Sequence, residues 1–128
     1  MKRFTLNKSQ KLKGVKAVRA LFTDCLIATS FPLKAVYTFN KRSVADFKVG
    51  FSVAKRKVNK AHDRNRIKRN LREVFRQNKS LLLVDNEIKY QISVMFIYLG
   101  EKTIKQQVLK EKMEEVINKI NNNINREK

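Results

Sequence analysis

The sequence predicts one α+β domain in which helices pack on a single small sheet. The chain has 128 residues, which suits one domain, and a hydrophobic fraction of 42%, which supports a modest core. Apolar residues switch between helical and strand-like spacing along the chain. Only three Gly and one Pro are present, so we expect compact elements with short connections. The predicted domain spans residues 1–128, with loosely ordered ends at 1–12 and 121–128.

The N-terminal half contains a predicted helix followed by two predicted strands. From about Gly14 to Asp24, apolar residues recur at helical spacing. In "LKAVYTFN", residues 33–40, and "FKVGFSVA", residues 47–54, apolar side chains alternate, as is typical of half-buried strands. A hairpin between these two strands is the simplest topology. One face of the second strand is small and polar, so it could be open to a ligand.

The C-terminal half supplies a predicted helix at 60–78, a strand at 90–99 and a last helix. The first helix has an apolar arc of about 100° that would dock on the sheet, formed by Ile67, Leu71, Val74 and Phe75. The strand, "YQISVMFIYL", is almost continuously apolar, so we expect it to be central. The last helix runs from about Thr103 to Asn121. Its apolar stripe comprises Ile104, Val108, Met113, Val116, Ile117, Ile120 and Ile124.

Positive charge dominates the composition. The chain has 30 Lys plus Arg against 11 Asp plus Glu, a formal net charge of +19. Such an excess destabilises a fold through self-repulsion, and a polyanionic partner is the usual reason for it. For a basic chain this small we favour nucleic acid over an anionic membrane surface. The longest apolar run, "SVMFIYL", is too short to span a bilayer.

Cysteine usage and the N-terminus predict a cytoplasmic protein. Cys25 is the only cysteine, so neither an internal disulfide nor a cysteine-based zinc site can form. We interpret Cys25 as a small buried hydrophobe. The N-terminus is basic but lacks the apolar segment of a signal peptide.

The charge is concentrated between Lys55 and Arg76. These 22 residues hold ten Lys and Arg and two acids, a local net charge of +8. Cations on one helix face can contact several phosphates and release their counterions, and Arg adds bidentate geometry. Arg64 lies near the apolar side, where a long side chain can reach out, and Arg66 lies beside Glu73. The alternative, a solvated surface, is more typical of mixed-sign runs. The candidate interface comprises Lys55, Arg56, Lys57, Lys60, Arg64, Asn65, Arg66, Lys68, Arg69, Arg72 and Arg76.

Two aromatic residues form a second candidate site, whereas a catalytic site is not apparent. Phe22 and Tyr37 could stack unpaired bases beside a basic groove, although periodicity alone favours core packing. His62 is the only histidine. Asp63 beside it should point elsewhere on a helix, so the two are not an expected pair, and Asp63 more plausibly supports the helix dipole.

At "RNRIKR", residues 64–69, the sequence resembles the bacterial ribonuclease P protein family. The fuller match is "VGFSVAKRKVNKAHDRNRIKRNLREVFR", residues 49–76, which joins a strand, a basic connector and an R-N-R helix. Length, charge and element order agree elsewhere. The resemblance implies a small mixed sheet with three helices in the order α-β-β-β-α-β-α, like domain 2 of ribosomal protein S5. It also implies a left-handed crossover between the parallel strands around the basic helix.

The family implies a ribonucleoprotein endoribonuclease that removes the 5′ leader from precursor tRNA. Its catalytic RNA (RNase P RNA) holds the Mg²⁺ and performs the chemistry, so no protein side chain is catalytic. The basic helix would face that RNA through Arg64, Asn65, Arg66, Lys68, Arg69 and Arg72. A cleft for the single-stranded leader would use Val18, Phe22, Tyr37, Ser52 and Lys55. Val18 stands where the family often has an aromatic residue. The expected partners are RNase P RNA and the precursor tRNA leader, with no membrane and no protein partner.

Three other functions are weighed against this one. A ribosomal-type or general RNA-binding protein would share the charge but have no role in catalysis. A DNA-binding protein would use residues 60–78 as a recognition helix, but Gln is missing near the helix start and the cation density suits phosphates. A free-standing nuclease would need activity without any RNA cofactor.

Overall fold

The computed structural model describes residues 25–41, 46–78 and 90–126. They form four strands and two helices, which confirms the α+β class. The elements are β1 (Leu26–Ser30), β2 (Leu33–Lys41), β3 (Asp46–Val53), α1 (Ala61–Asn78), β4 (Tyr90–Tyr98) and α2 (Gln106–Arg126). The helix predicted for residues 14–24 lies outside the described residues, and so do the N-terminal arm, Val18 and Phe22.

The strands form one mixed sheet in the order β1-β2-β4-β3. β4 is antiparallel to β2 and parallel to β3, so Val94 has Tyr37 on one side and Val49 on the other. The predicted central position of β4 is confirmed. The predicted hairpin between β2 and β3 is wrong, because the almost wholly apolar β4 lies between them and is shielded by a neighbour on each side. β3 and β4 are joined by a crossover that contains α1. The left-handed sense expected for this crossover stays a prediction.

The main core lies between one face of the sheet and both helices. α1 lies against β3, α2 lies against β1 and β2, and the helices contact each other. All four predicted docking residues of α1 are buried, together with Asn78, which the sequence did not indicate. The Asn78 side chain donates to the Val74 carbonyl at 2.9 Å, which satisfies its polar group inside the core.

α2 begins later and ends later than expected. It starts at Gln106 and runs to Arg126. Residues 121–126 are thus part of the helix, and the buried Ile124 continues its apolar stripe into the last turn. Near the start, Leu109 is buried and Val108 is exposed. Val108 lies five residues before Met113, about 140° away around the helix, whereas Leu109 is only about 40° away.

The other face of the sheet, called here the second face, carries a smaller apolar cluster. Val36 and Met95 are buried there, and Cys25 and Ile97 pack against them. Cys25 is a half-buried free thiol rather than a fully buried one, because it lies just before the edge strand β1. Within the described ranges, neither helix is long and apolar enough to cross a membrane.

Candidate nucleic-acid interface

The basic surface of α1 follows from the way this helix docks. Its apolar arc is held by the core, so the remaining sides of the helix face away from the sheet. Asn65, Arg66, Arg69 and Arg72 are exposed, and Lys68 is half-buried. In the described part of the chain, none of these four cations lies within 4 Å of a carboxylate. Their charges are therefore available to an anion.

Arg76 differs from the other cations of α1 because it is ion-paired. Its Nε donates to Glu73 Oε2 at 3.0 Å, and its Nη2 contacts Oε1 of the same carboxylate. The hydrogen bond from Arg76 lowers the pKa of Glu73, so this carboxylate stays ionised and offsets the arginine. As predicted, Arg66 lies in the same sector of the helix as Glu73, seven residues away, but the carboxylate pairs with Arg76. Arg76 thus shares the helix with the interface residues but offers less free charge.

The basic connector, residues 54–60, forms a defined turn between β3 and α1. The amides of Lys57 and Val58 donate to the Ala54 carbonyl at 3.0 and 3.1 Å, and the Ala54 amide donates to Tyr98 O at 3.2 Å. The Val58 side chain is buried in the main core. The cations of the connector all remain exposed, namely Lys55, Arg56, Lys57 and Lys60. Lys57 Nζ lies 3.9 Å from Glu101 Oε1, so the turn presents four cations, one of them paired, from a backbone that the core anchors.

Arg64 links the connector to the first turn of α1. Its Nη1 donates to the carbonyls of Val58 and Asn59 at 2.9 and 2.7 Å. The side chain is half-buried. The expectation that Arg64 reaches outward is wrong, because the two carbonyls of the connector lie within reach of its guanidinium. Spacing along the sequence carries no sign of these contacts, since they depend on how the connector folds back.

Arg72 connects α1 with the outer strand of the sheet. Its guanidinium carbon lies 5.9 Å from the centre of the Phe51 ring, within the range of a cation–π interaction. Phe51 is half-buried on β3 and also contacts Phe75 and Phe96. The sequence did not indicate this pair, because the two residues belong to different elements.

His62 and Asp63 do contact each other, contrary to expectation. His62 Nε2 lies 3.1 Å from Asp63 Oδ1; the His62 side chain is exposed and Asp63 is half-buried. At the first turn of a helix, neighbouring side chains can bend back toward one another without crossing a preceding turn. Asp63 lies in that first turn, as its predicted support of the helix dipole requires.

Comparison with known proteins decides the family of this chain. The family model described as ribonuclease P matches residues 6–121. The chain belongs to the ribonuclease P protein family. It is 34% identical over 98 residues to a ribonuclease P protein component of Porphyromonas gingivalis, over 73% of this chain and 72% of that protein.

Two solved ribonuclease P proteins share the fold. One from Staphylococcus aureus has a TM-score of 0.66 at 22% identity, over 87% of this chain and 94% of that one. One from Thermotoga maritima has a TM-score of 0.60 at 23% identity, over 80% and 90%. At these identities the two structures support the architecture of the sheet and helices.

The residues predicted for the ribonuclease P leader cleft do not all meet on one surface. Tyr37 is 1% exposed, lies in the main core and accepts a hydrogen bond from Asn123 Nδ2 at 2.8 Å. Ser52 pairs with Ile97 and therefore lies on the second face of the sheet. Lys55 is exposed at the end of β3. Tyr37 thus occupies the core position that its periodicity favoured, away from Ser52.

We expect Tyr37→Phe to destabilise the fold without affecting leader binding. Burial raises the pKa of Tyr37, so its hydroxyl is neutral, and the substitution removes only the bond to Asn123. The free energy of unfolding should fall by about 1 kcal/mol. Urea denaturation measures it, and Asn123→Ala combined with Tyr37→Phe should cost less than the sum of the single changes. A loss of precursor binding at unchanged stability would instead place the hydroxyl against RNA.

Proposed function

We propose that this chain is the protein subunit of a ribonuclease P holoenzyme and helps a catalytic RNA to remove the 5′ leader from precursor tRNA. The observation that carries the proposal is the surface formed by the connector and α1. It combines exposed cations, few of them paired, with a backbone anchored in the core. Membership of the ribonuclease P family makes RNA the expected polyanion.

The basic surface is suited to the phosphates of a folded RNA. Each neutralised phosphate releases counterions, and arginine donates to two phosphate oxygens in one plane. Because α1 and the connector are held by buried side chains, their backbone needs little ordering on binding. We assign Asn65, Arg66, Lys68, Arg69 and Arg72 to this contact, together with the cations of the connector.

We assign the single-stranded leader to the second face of the sheet. The half-buried Ser52 presents a small polar group there, and by strand alternation Lys34 and Lys48 lie on the same face. A small polar group flanked by cations suits a nucleic-acid backbone with unpaired bases. The family resemblance assigns Val18 and Phe22 to the same cleft. Lys55, which follows the end of β3, lies at the edge of this proposed cleft. Tyr37 is left out of this assignment because it faces the helices.

We propose that the catalytic RNA holds the Mg²⁺ and performs the hydrolysis, and that the holoenzyme works in the cytoplasm. Among residues 25–41, 46–78 and 90–126, no three His, Cys, Asp or Glu side chains lie close enough to hold a metal ion. The family resemblance is the basis on which we assign no catalytic step to the protein. Its role is to bind and orient the two RNAs. The free thiol of Cys25 suits a reducing compartment.

Reconstitution tests the proposed function. We expect the chain to enhance cleavage of precursor tRNA by ribonuclease P RNA at physiological Mg²⁺, and to strengthen the binding of precursor more than that of mature tRNA. A general RNA-binding protein would strengthen both to the same extent and leave cleavage unchanged, which would disprove the proposal. A parallel reaction without the catalytic RNA tests whether the chain is itself a nuclease. Cleavage by the bare chain that His62→Ala abolishes would assign the chemistry to the protein.

A further inference from the structure

We propose that Arg64 is a positioning residue that holds the basic connector in its RNA-binding conformation, and that it is not itself a phosphate contact. The inference rests on the proposed function, because it concerns the same surface. It separates Arg64 from Arg66, although the two arginines stand two residues apart in one motif.

The contacts of Arg64 are those of a structural clamp. One nitrogen, Nη1, carries two hydrogens and donates to two successive carbonyls, those of Val58 and Asn59, at 2.9 and 2.7 Å. Both distances are ordinary for N–H to O bonds, and the positive donor strengthens them. Arg64 is half-buried, whereas Arg66 and Arg69 are exposed. A guanidinium held in this way is less able to follow a phosphate.

The connector has a physical need for such a clamp. Four exposed cations on seven residues repel one another, and repulsion favours an open, disordered segment. Arg64 joins the carbonyls of Val58 and Asn59 to the first turn of α1 and so counters this opening. The clamp thus keeps the cations of the connector in place.

The same arginine substitutions, compared in two versions of the chain, test the inference. Arg64→Gln and Arg66→Gln are each made in the natural chain and in a chain with Lys55→Gln, Arg56→Gln and Lys57→Gln. We expect each to weaken binding of ribonuclease P RNA by about fivefold or more in the natural chain at 0.15 M salt. In the chain with the neutralised connector, Arg66→Gln should weaken RNA binding by the same factor as in the natural chain, whereas Arg64→Gln should weaken it much less. An equal cost of Arg64→Gln in both backgrounds would overturn the inference, because a direct contact does not depend on the connector.

Hydrogen exchange provides a second readout that needs no RNA. In the free folded protein, Arg64→Gln should accelerate exchange of the Lys57 and Val58 amides, which are bonded in the turn, and Arg66→Gln should not. Unchanged exchange in Arg64→Gln would overturn the clamp. Thermal unfolding confirms that each variant is folded. RNA binding could also remain unchanged both in the chain with the three connector substitutions and in Arg66→Gln. The proposed interface itself would then be wrong, and this outcome is distinct from failure of the clamp.

Discussion

Phe75→Ala is expected to remove most of the stability of the free protein and to loosen the contact of the basic helix with the sheet. Phe75 is fully buried on α1, and its ring centre lies 5.3 Å from that of Phe96 and 5.9 Å from that of Phe51. Truncation of a buried phenylalanine costs about 3–5 kcal/mol. A domain has about 5–15 kcal/mol of stability in total, and the net charge of +19 places this one toward the low end.

Urea denaturation followed by circular dichroism measures this effect. Phe51→Ala is the control, because Phe51 belongs to the same aromatic group but is half-buried at the sheet edge and should cost less. Ribonuclease P RNA should restore much of the stability lost in Phe75→Ala, since a ligand at 100 times its Kd stabilises the native state by about 2.7 kcal/mol. An unchanged unfolding midpoint for Phe75→Ala would show that the aromatic group does not hold α1.

The double substitution of Arg66→Gln with Arg69→Gln is expected to weaken binding of ribonuclease P RNA by about 30-fold at 0.15 M salt. Both side chains are exposed and have no carboxylate within 4 Å in the described residues. Each lost phosphate contact removes the release of about one counterion, so the slope of log K against log salt should fall by about two. Filter binding over a series of salt concentrations measures both quantities.

A matched double substitution on the same helix serves as the control. Glu73→Gln with Arg76→Gln removes one charge of each sign and leaves the net charge unchanged. Because these two residues neutralise each other, RNA affinity should change by no more than about twofold. If the control weakened binding as much as the double arginine variant, then position on the helix, rather than free charge, would govern recognition.

Local periodicity made much of this protein predictable. The helix predicted for residues 60–78 is observed as Ala61–Asn78, with the predicted apolar face buried. A helix shows its buried face at intervals of three and four residues, so neighbours in sequence are enough to find it. The almost continuous apolar run of β4 showed in the same way that this strand is central in the sheet. The boundaries of α2 were less accurate, because burial of Ile124 against the sheet extends that helix.

Contacts between distant parts of the chain could not be predicted in this way. Nothing within β2 or β3 shows that β4 lies between them, and nothing near Tyr37 shows that its hydroxyl meets Asn123. The partners of Arg64 depend on the path of the connector. Each of these contacts joins groups whose separation is set by the fold.

The chemistry of this protein was therefore visible in its residues. The excess of cations predicted a polyanionic partner, and the family resemblance carried by the R-N-R helix predicted that this partner is RNA. Only the folded chain showed which cations are free, which are paired, and which one holds the backbone of the others. Charge is a property of each side chain alone, whereas a hydrogen bond or an ion pair requires two groups to meet.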